Sequence, residues 1–212
     1  MESTLSKPSL TLGCVFDKLR ALFAPRQHTL DLDAEWLIVG LGNPGAKYAA
    51  TRHNVGYMAQ DMLIDGQALR PLPSFKAQGV LVPDTTALAL RSTTFMNLSG
   101  EGIAPVAEKL GIPPERIIVL HDELDLPAGK VRIKQSGNEN GHNGLKSLTE
   151  QLGTRDYIRV RIGIGRPPAG VAVPDWVLGP VSGDERIDLA AEAARLVVAE
   201  GLAKAQNVIH AR

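Results

Sequence analysis

Short, continuous apolar runs alternate along this chain with longer stretches of helical periodicity. The runs Trp36–Gly40, Ile117–Leu120 and Tyr157–Ile164 each have the length of one strand that is buried on both faces. Between the runs, apolar residues recur every three or four positions, which predicts helices. These helices are expected from near Asn54 to 65, over 102–110, over 145–152 and, as one long C-terminal helix, from Gly183 onward. Strands that alternate with helices favour an α/β fold.

The remaining strands make the predicted sheet mixed. Residues 77–82 and 87–91 flank a Pro83-Asp84-Thr85 turn, which predicts a hairpin, and residues 130–135 alternate like a strand. We therefore predict an α/β fold in which residues 36–212 form a single three-layer domain, with a mixed, mostly parallel β-sheet flanked by helices. Only Arg166–Pro174, which is rich in proline, glycine and alanine, is expected to be mobile.

Residues 1–35 are predicted to be an N-terminal extension of unknown role. Some of its apolar residues have the spacing of a short amphipathic helix, namely Val15, Leu19, Leu22 and Phe23. Its apolar core, Leu10–Phe16, is too short for a signal peptide, and Glu2 and Asp17 flank it where a signal peptide would be basic at its start. No apolar run approaches the roughly 20 residues that span a bilayer. The single cysteine, Cys14, excludes an internal disulfide. We therefore expect a cytoplasmic protein without membrane contact.

Charge is balanced over the whole chain but not along it. The 23 basic and 23 acidic residues exclude the global basic field of a non-specific nucleic-acid binder. Residues 126–170, however, contain eight Lys or Arg and three acids. The basic residues of the two strands share faces, Lys130, Arg132 and Lys134 on the first and Arg159 and Arg161 on the second. If these strands are neighbours, they form a basic patch of phosphate size.

A glycine-rich loop follows the first strand, with the sequence Gly40-Leu-Gly42-Asn43-Pro44-Gly45. The spacing matches a dinucleotide fingerprint, but Pro44 lies inside the loop and about eight residues separate Gly45 from the helix. An acidic residue at the end of a second strand is also missing, because Asp65 falls at a helix terminus. A nicotinamide or flavin site is therefore disfavoured, and no cofactor is expected.

His53 lies in the Thr51–Asn54 segment, at the mouth of the first predicted helix. Sites in α/β proteins gather in loops beyond the carboxyl ends of strands, and the unperturbed pKa of histidine suits a general base. A structural histidine beside an N-cap asparagine, Asn54, is the alternative. Position alone does not decide between these two interpretations.

Four polar residues directly follow the strand that ends at Leu120: His121, Asp122, Glu123 and Asp125. Three interpretations stay open: a divalent cation site, a solvated loop, or a carboxylate that orients a histidine.

A further glycine-flanked segment, Gly141–Lys146, opens a helix, where Asn143 can be the N-cap or can help to bind an anion or a carbonyl. In Thr93–Gly100, Phe95 and Met96 can simply be core residues.

Taken together, these segments resemble the bacterial-type peptidyl-tRNA hydrolases. The matching blocks are LIVGLGNPGAKYAATRHNVG, TTFMNLSGEG, VLHDELDLPAGKVRIK, GHNGLKS, RVRIGIGRP and GLAKAQN, in this order. The resemblance covers the chain from about Trp36 to its last residue, and the ordered set of blocks is specific. It implies a cofactor-free, metal-independent esterase, active as a monomer, that cleaves the ester between a peptide and the 3′-terminal ribose of tRNA and so recycles tRNA from stalled or aborted translation.

The resemblance also implies roles for particular residues. His53 would activate water as general base, Asp122 would orient and polarise His53, and Asn43 would contact the peptide beside the ester. The remaining site residues would bind the peptidyl-tRNA partner at its 3′ CCA end and acceptor stem. Tyr48, Phe95, Met96, Asn97 and Asn143 would line the site for the terminal adenosine and the peptide, and Lys134 and Arg161 would clamp the 5′-phosphate.

The chain departs from the family pattern at three places. The loop before Gly141 is usually glycine-rich, but here it spans Ser136–Asn140 and places the acidic Glu139 where RNA or peptide should pass. Trp176 lies in a region that acts as a lid in the family, where another aromatic residue is common. Residues 1–35 are expected to have no family counterpart.

Two rival functions remain. Relatives of this family bind structured RNA without hydrolysing it, but pure binding gives no reason for a base and its orienting carboxylate. A metal-dependent hydrolase would use Asp122, Glu123 and Asp125.

Overall fold

The structure is a computed structural model that describes residues 32–212. The predicted N-terminal helix falls outside these residues. The described part contains one seven-stranded sheet, whose strands are β1 (Trp36–Gly40), β2 (Arg70–Pro71), β3 (Ala77–Leu81), β4 (Ala87–Ser92), β5 (Ile117–Glu123), β6 (Val131–Gln135) and β7 (Ile158–Gly163). Its helices are α1 (Val55–Leu63), α2 (Ser99–Leu110), α3 (Asn143–Leu152), α4 (Val173–Val177), α5 (Ile187–Glu200) and α6 (Leu202–His210).

The strand order is β2-β3-β4-β1-β5-β7-β6. The four central strands, β4, β1, β5 and β7, pair in parallel, whereas β2, β3 and β6 join by antiparallel pairing. Five of the seven strands therefore run in one direction, and the predicted mixed, mostly parallel sheet is confirmed. β3 and β4 form the predicted hairpin.

Helices cover both faces of the sheet, as the three-layer prediction requires. On one face, α1, α5 and α6 enclose apolar residues such as Ile38, Leu120 and Val160. On the other face, α2 and α3 pack over Leu37, Val39 and similar residues. The two clusters are separate because successive side chains of a strand point to opposite faces. None of the helices in residues 32–212 is both long and apolar enough to cross a membrane.

Close packing between α1 and the sheet explains one glycine of the sequence. A Cβ on Gly56 would lie 2.3 Å from the carbonyl oxygen of Leu120 and 2.6 Å from that of Leu41. Only glycine lets the start of α1 approach the ends of β1 and β5 this closely. This approach places the residues just before α1 over the carboxyl edge of the central strands.

Two predictions about the elements were wrong, and one short strand was not predicted. The C-terminal region is not one long helix, because Gly201 adopts φ 81° and ψ 167°, a conformation open only to glycine, and so separates α5 from α6. The two-residue strand β2 is too short for sequence periodicity to reveal. The strand that was expected to end at Leu120 continues through His121, Asp122 and Glu123, all of them buried, so these residues are not a solvated loop.

Strand β6 is one end of the sheet, and α6 lies along it. The backbone N–H of Ile133 donates to Nε2 of His210 at 2.9 Å, and Nε2 of Gln206 donates to the carbonyl oxygen of Ile133 at 3.1 Å. Side chains of the helix thus satisfy backbone groups that an adjacent strand would otherwise occupy.

Candidate active site

A cleft of about 900 Å³ opens beyond the carboxyl ends of β1 and β5. Six of the residues that the sequence predicted for the site line it: Asn43, His53, Met96, Asn97, Asp122 and Asn143. Apolar residues from the α4 segment form another wall, together with Leu124. The topology explains this convergence, since parallel strands bring the segments that follow them to one edge of the sheet.

The carboxylate of Asp122 lies at the centre of this polar cluster. Its two oxygens lie 2.9 and 3.0 Å from Nδ1 of His53, and Oδ1 also lies 2.9 Å from Nε2 of His142. Burial alone would raise the pKa of Asp122, but its two histidine partners lower that pKa well below its ordinary value. Asp122 is therefore an anion that accepts hydrogen bonds from both rings.

The hydrogen bonds of His142 fix where its proton lies. Its Nδ1 accepts from the backbone N–H groups of Gly144 at 3.1 Å and Leu145 at 3.3 Å, so His142, not Asn143, caps α3. A backbone N–H only donates, so Nδ1 must be unprotonated. His142 is consequently a neutral ring whose Nε2–H points at Asp122.

His53 presents its other ring nitrogen to the cleft. Because a carboxylate only accepts, Nδ1 of His53 donates to Asp122, which leaves the lone pair of Nε2 available to a water molecule. Burial lowers the pKa of His53, but the charge of Asp122 and its hydrogen bond outweigh this effect, and the net pKa lies above the ordinary value. This geometry suits a general base.

Asn43 is held so that its amide NH₂ group has no hydrogen-bond partner among residues 32–212. Its Oδ1 accepts from the backbone N–H of Met96 at 2.9 Å, which assigns the oxygen and directs Nδ2 away from this bond. The side chain of Asn54 also clamps the Asn43 backbone through bonds of 2.8 and 2.9 Å. Asn54 does occupy the N-cap position of α1, but its side chain makes no capping bond to the helix and holds Asn43 instead.

The other predicted binding residues lie at different depths. Asn97 and Asn143 are exposed on the cleft, whereas Met96 is buried beneath it. Tyr48 and Phe95 are outside the residues that line the cleft and pack edge to face, with ring centroids 6.4 Å apart. Phe95 is 54% exposed, so an apolar or aromatic group could stack on this pair.

The carboxylates of the His121–Asp125 segment do not converge on one point. Glu123 pairs with Arg161 at 2.8 Å and Asp125 pairs with Arg166, whereas Asp122 bonds to His53 and His142. Within residues 32–212, the group whose metal-ligating atoms lie close together is instead His53, Asp122 and His142. A metal on Nε2 of neutral His142 would need a proton on Nδ1, where two backbone N–H groups already donate. These three side chains therefore fit a set of hydrogen bonds centred on the Asp122 carboxylate better than they fit a metal centre.

The two basic strands are neighbours, as the patch hypothesis required. Arg132 lies opposite Arg161 and Lys134 opposite Arg159 in the antiparallel β6–β7 pair, which places all four side chains on one face. Lys134, Arg159 and Arg161 line a second cavity of about 110 Å³ beside the main cleft. His121 and Glu123 line both cavities, so the two sites share a wall.

The second cavity contains features that the sequence did not reveal. Arg159 is buried and donates at 2.6 Å to the carbonyl oxygens of Gly137 and Asn138, while its Nε has no partner among the described residues. Arg161, predicted as a phosphate contact, is already paired with Glu123. His121 is also buried, and burial is the main cause that lowers its pKa to about 3. Its Nε2 has no hydrogen-bond partner in the described part of the chain.

The acidic loop residue Glu139 does not present a free charge. Its carboxylate accepts from Nε and Nη2 of Arg155 at 2.7 and 3.3 Å. Its backbone carbonyl accepts the N–H of His142 at 2.8 Å. The altered loop is thus tied to the segment that carries the α3 cap, and the expected repulsion of RNA or peptide is reduced.

Sequence reasoning overlooked His142 at the centre of the site. The Gly141–Lys146 segment was noted, but for Asn143. A histidine between a glycine and a helix is the one available signal, and neither its rotamer nor its contact with Asp122 follows from spacing.

Comparisons with known proteins identify the family. The peptidyl-tRNA hydrolase family profile matches residues 37–212. The chain is 66% identical over 208 residues to peptidyl-tRNA hydrolase 2 of Corynebacterium glutamicum, covering 96% of this chain and 100% of that protein. It is 50% identical to peptidyl-tRNA hydrolase 2 of Corynebacterium jeikeium, covering 84% of this chain and 80% of the relative. The crystal structure of peptidyl-tRNA hydrolase from Acinetobacter baumannii superimposes with a TM-score of 0.76 at 36% identity, covering 85% of this chain and 96% of that one.

These alignments also correct the expectation about residues 1–35. An alignment over 96% of the chain includes most of this segment, so the extension has a counterpart in the Corynebacterium glutamicum protein. The family profile begins at residue 37, after the extension. The chain therefore belongs to the peptidyl-tRNA hydrolase family.

Proposed function

We propose that this chain hydrolyses the ester bond between the peptide and the 3′-terminal ribose of peptidyl-tRNA, without a metal, in the cytoplasm. The observation that carries the proposal is the His53–Asp122–His142 cluster at the floor of the cleft. It supplies one ring nitrogen free to take a proton, together with a buried carboxylate that stabilises the ring once the proton has been taken. Family membership supplies the substrate class.

In the proposed reaction, Nε2 of His53 takes a proton from a water molecule while the water oxygen attacks the ester carbonyl. The bond between that carbonyl carbon and the ribose oxygen then breaks, and the ribose oxygen takes the proton from His53. Asn43 would contact the peptide beside the ester, and the amides of Asn97 and Asn143, which line the same cleft, would stabilise the oxyanion. Such donors contribute about 10²–10³-fold, and a positioned base about 10²–10⁴-fold.

The decisive experiment is a steady-state assay that compares N-acetyl-aminoacyl-tRNA with free aminoacyl-tRNA. We expect rapid hydrolysis of the blocked substrate and little of the free one, whose charged amine would lie beside the amide of Asn43. EDTA should leave the rate unchanged, and EDTA-sensitive activity restored by Zn²⁺ or Mg²⁺ would favour the metal-dependent rival. Binding of tRNA without any turnover would favour the RNA-binding rival.

The pH dependence of kcat/KM should report the ionisation of His53. A general base acts only when deprotonated, and the pKa of His53 lies above its ordinary 6.5. The rate should therefore rise with pH along an acidic limb whose midpoint lies above 6.5. Measurement between about pH 5 and 9 covers this limb for histidine. A midpoint below 6.5 would be inconsistent with the base–carboxylate pair.

Lys134 is proposed to bind the 5′-phosphate of the tRNA in the second cavity. Lys134 is exposed and forms no ion pair with any residue in 32–212, whereas Arg161 is held by Glu123. Lys134→Ala should raise KM for a full tRNA substrate by about tenfold or more and hardly change KM for a short CCA-ester that lacks the phosphate. Lys109→Ala, which removes an exposed lysine of α2 outside both cavities, is the matched control. Equal losses on both substrates would contradict the assignment.

A further inference from the structure

Arg52, the residue immediately before His53, lies against the segment that carries α4. Its guanidinium carbon is 3.7 Å from the ring centroid of Trp176, and Nη1 donates to the carbonyl oxygen of Trp176 at 3.2 Å. The backbone N–H of Arg52 donates to the carbonyl oxygen of Gly179 at 2.9 Å. Arg52 thus contacts the segment that contains α4 in three ways: through the face of its guanidinium, through an N–H at the edge of that group and through its backbone N–H.

The α4 helix is short, and the residues that follow it are held by a backbone hydrogen bond from Val181 to Ala50 and by a bridge between Thr51 and Pro180. The helix spans five residues, makes no side-chain N-cap bond and buries one of its side chains, Val177. A helix this short is not stable by itself in water. Trp176 anchors the helix itself, because its indole Nε1 donates to the carbonyl oxygen of Gly165 at 2.9 Å. The stacked face of Trp176 and its donating edge therefore fix the position of α4 together.

The opposite side of α4 lines the main cleft. Val173, Pro174, Val177 and Leu178 contribute to the same cavity as His53. We propose that Arg52 is a positioning residue, which holds α4 as the apolar wall of the cleft by stacking on Trp176. This inference rests on the proposed hydrolysis of peptidyl-tRNA, since the wall would contact the peptide part of that substrate.

The chemistry favours arginine over lysine in this role. A planar guanidinium stacks its flat face on an indole while its edge directs an N–H at a carbonyl, whereas an ammonium group has no flat face to stack. Gly179 supports the same arrangement, because a Cβ there would lie 2.8 Å from Nη1 of Arg52. Gly179→Ala would therefore displace the guanidinium without removing it, and Arg52→Ala would remove it.

The contact can be observed without substrate. The chain has two tryptophans, so a Trp36→Phe background leaves Trp176 as the single fluorophore. In this background Arg52→Ala should increase quenching of Trp176 by acrylamide, because the covered face of the ring becomes accessible. Arg116→Ala removes an exposed arginine near Trp36 and is the matched control, with no expected change. Unchanged quenching in both Arg52→Ala and Gly179→Ala would overturn the inference.

Steady-state kinetics of the same variants distinguish a positioning role of Arg52 from a general loss of structure. Arg52→Ala should raise KM for N-acetyl-aminoacyl-tRNA by roughly three- to thirtyfold at nearly constant kcat, with an unshifted pH profile, because the His53–Asp122 contact is retained. Arg52→Lys should recover part of the loss. A fall in kcat with unchanged KM, or raised quenching with unchanged KM, would assign Arg52 a purely structural role and reject the proposal. If the parent protein fails to hydrolyse the substrate, the proposed function fails, while the quenching measurement still decides whether Arg52 holds α4.

Discussion

Replacing His53 with alanine is expected to lower kcat for N-acetyl-aminoacyl-tRNA by at least about two orders of magnitude, while the affinity for tRNA stays largely intact. The variant removes the one ring nitrogen in the cluster that is free to take a proton from water. His142 cannot replace it, because both of its nitrogens are engaged, one with Asp122 and one with the α3 backbone. The loss corresponds to about 2.7 kcal/mol or more of transition-state stabilisation.

The measurement needs single-turnover kinetics together with a binding assay. His210→Ala is the matched control, since it removes a histidine that contacts β6 far from the cleft and should leave kcat near the parent value. Near-normal turnover of His53→Ala would remove His53 from its proposed role. Loss of tRNA binding in the same variant would point to a misfolded cleft, which circular dichroism would detect.

Replacing Asp122 with asparagine should have an effect of similar size, on the order of 10²–10⁴-fold in kcat. The amide is nearly isosteric but offers one acceptor and one donor where two ring N–H groups now donate. Oδ1 now accepts from both rings, so an amide oxygen in its place can keep both hydrogen bonds, but the NH₂ group in place of Oδ2 would lie 3.0 Å from Nδ1 of His53 and oppose its N–H. His53 would then lose its orientation, its preferred tautomer and the negative charge that stabilises its protonated form.

The pH profile gives a second readout for Asp122→Asn. The charge and hydrogen bond of Asp122 keep the pKa of His53 raised against the effect of burial. Without them, the residual activity should show an acidic limb at lower pH than in the parent protein. Asp61→Asn, which changes a carboxylate paired with Arg91 outside the cleft, is the control. If the midpoint of the acidic limb stays at the same pH as in the parent protein, Asp122 does not set the pKa of His53.

Much of this site could be anticipated because strand periodicity determines where the polar segments go. His53 and Asp122 are 69 positions apart, yet each belongs to a segment that reaches the carboxyl edge of the sheet. Parallel pairing of β1 with β5 then brings the two together. The basic residues of β6 and β7 were likewise placed by strand alternation once the strands paired.

Contacts that depend on rotamers could not be anticipated. The cap formed by His142 requires its Nδ1 to lie over the first turn of α3, and residue type favours Asn143 for that position. The pairing of Arg161 with Glu123, rather than with a ligand, depends on which carboxylate lies nearest. The end of α5 at Gly201 did have a signal, the glycine itself, but apolar periodicity continues through it because both helices pack on the same core.

The contact of α6 with β6 has a consequence for self-association. A terminal strand with free N–H and C=O groups is a template on which a strand of a second molecule can add, which leads to aggregation at high concentration. Gln206 and His210 occupy both backbone groups of Ile133, near the middle of β6. The C-terminal helix α6 therefore covers the edge of the sheet. A chain truncated before Leu202 would leave the edge of β6 exposed and would be prone to polymerise through that strand.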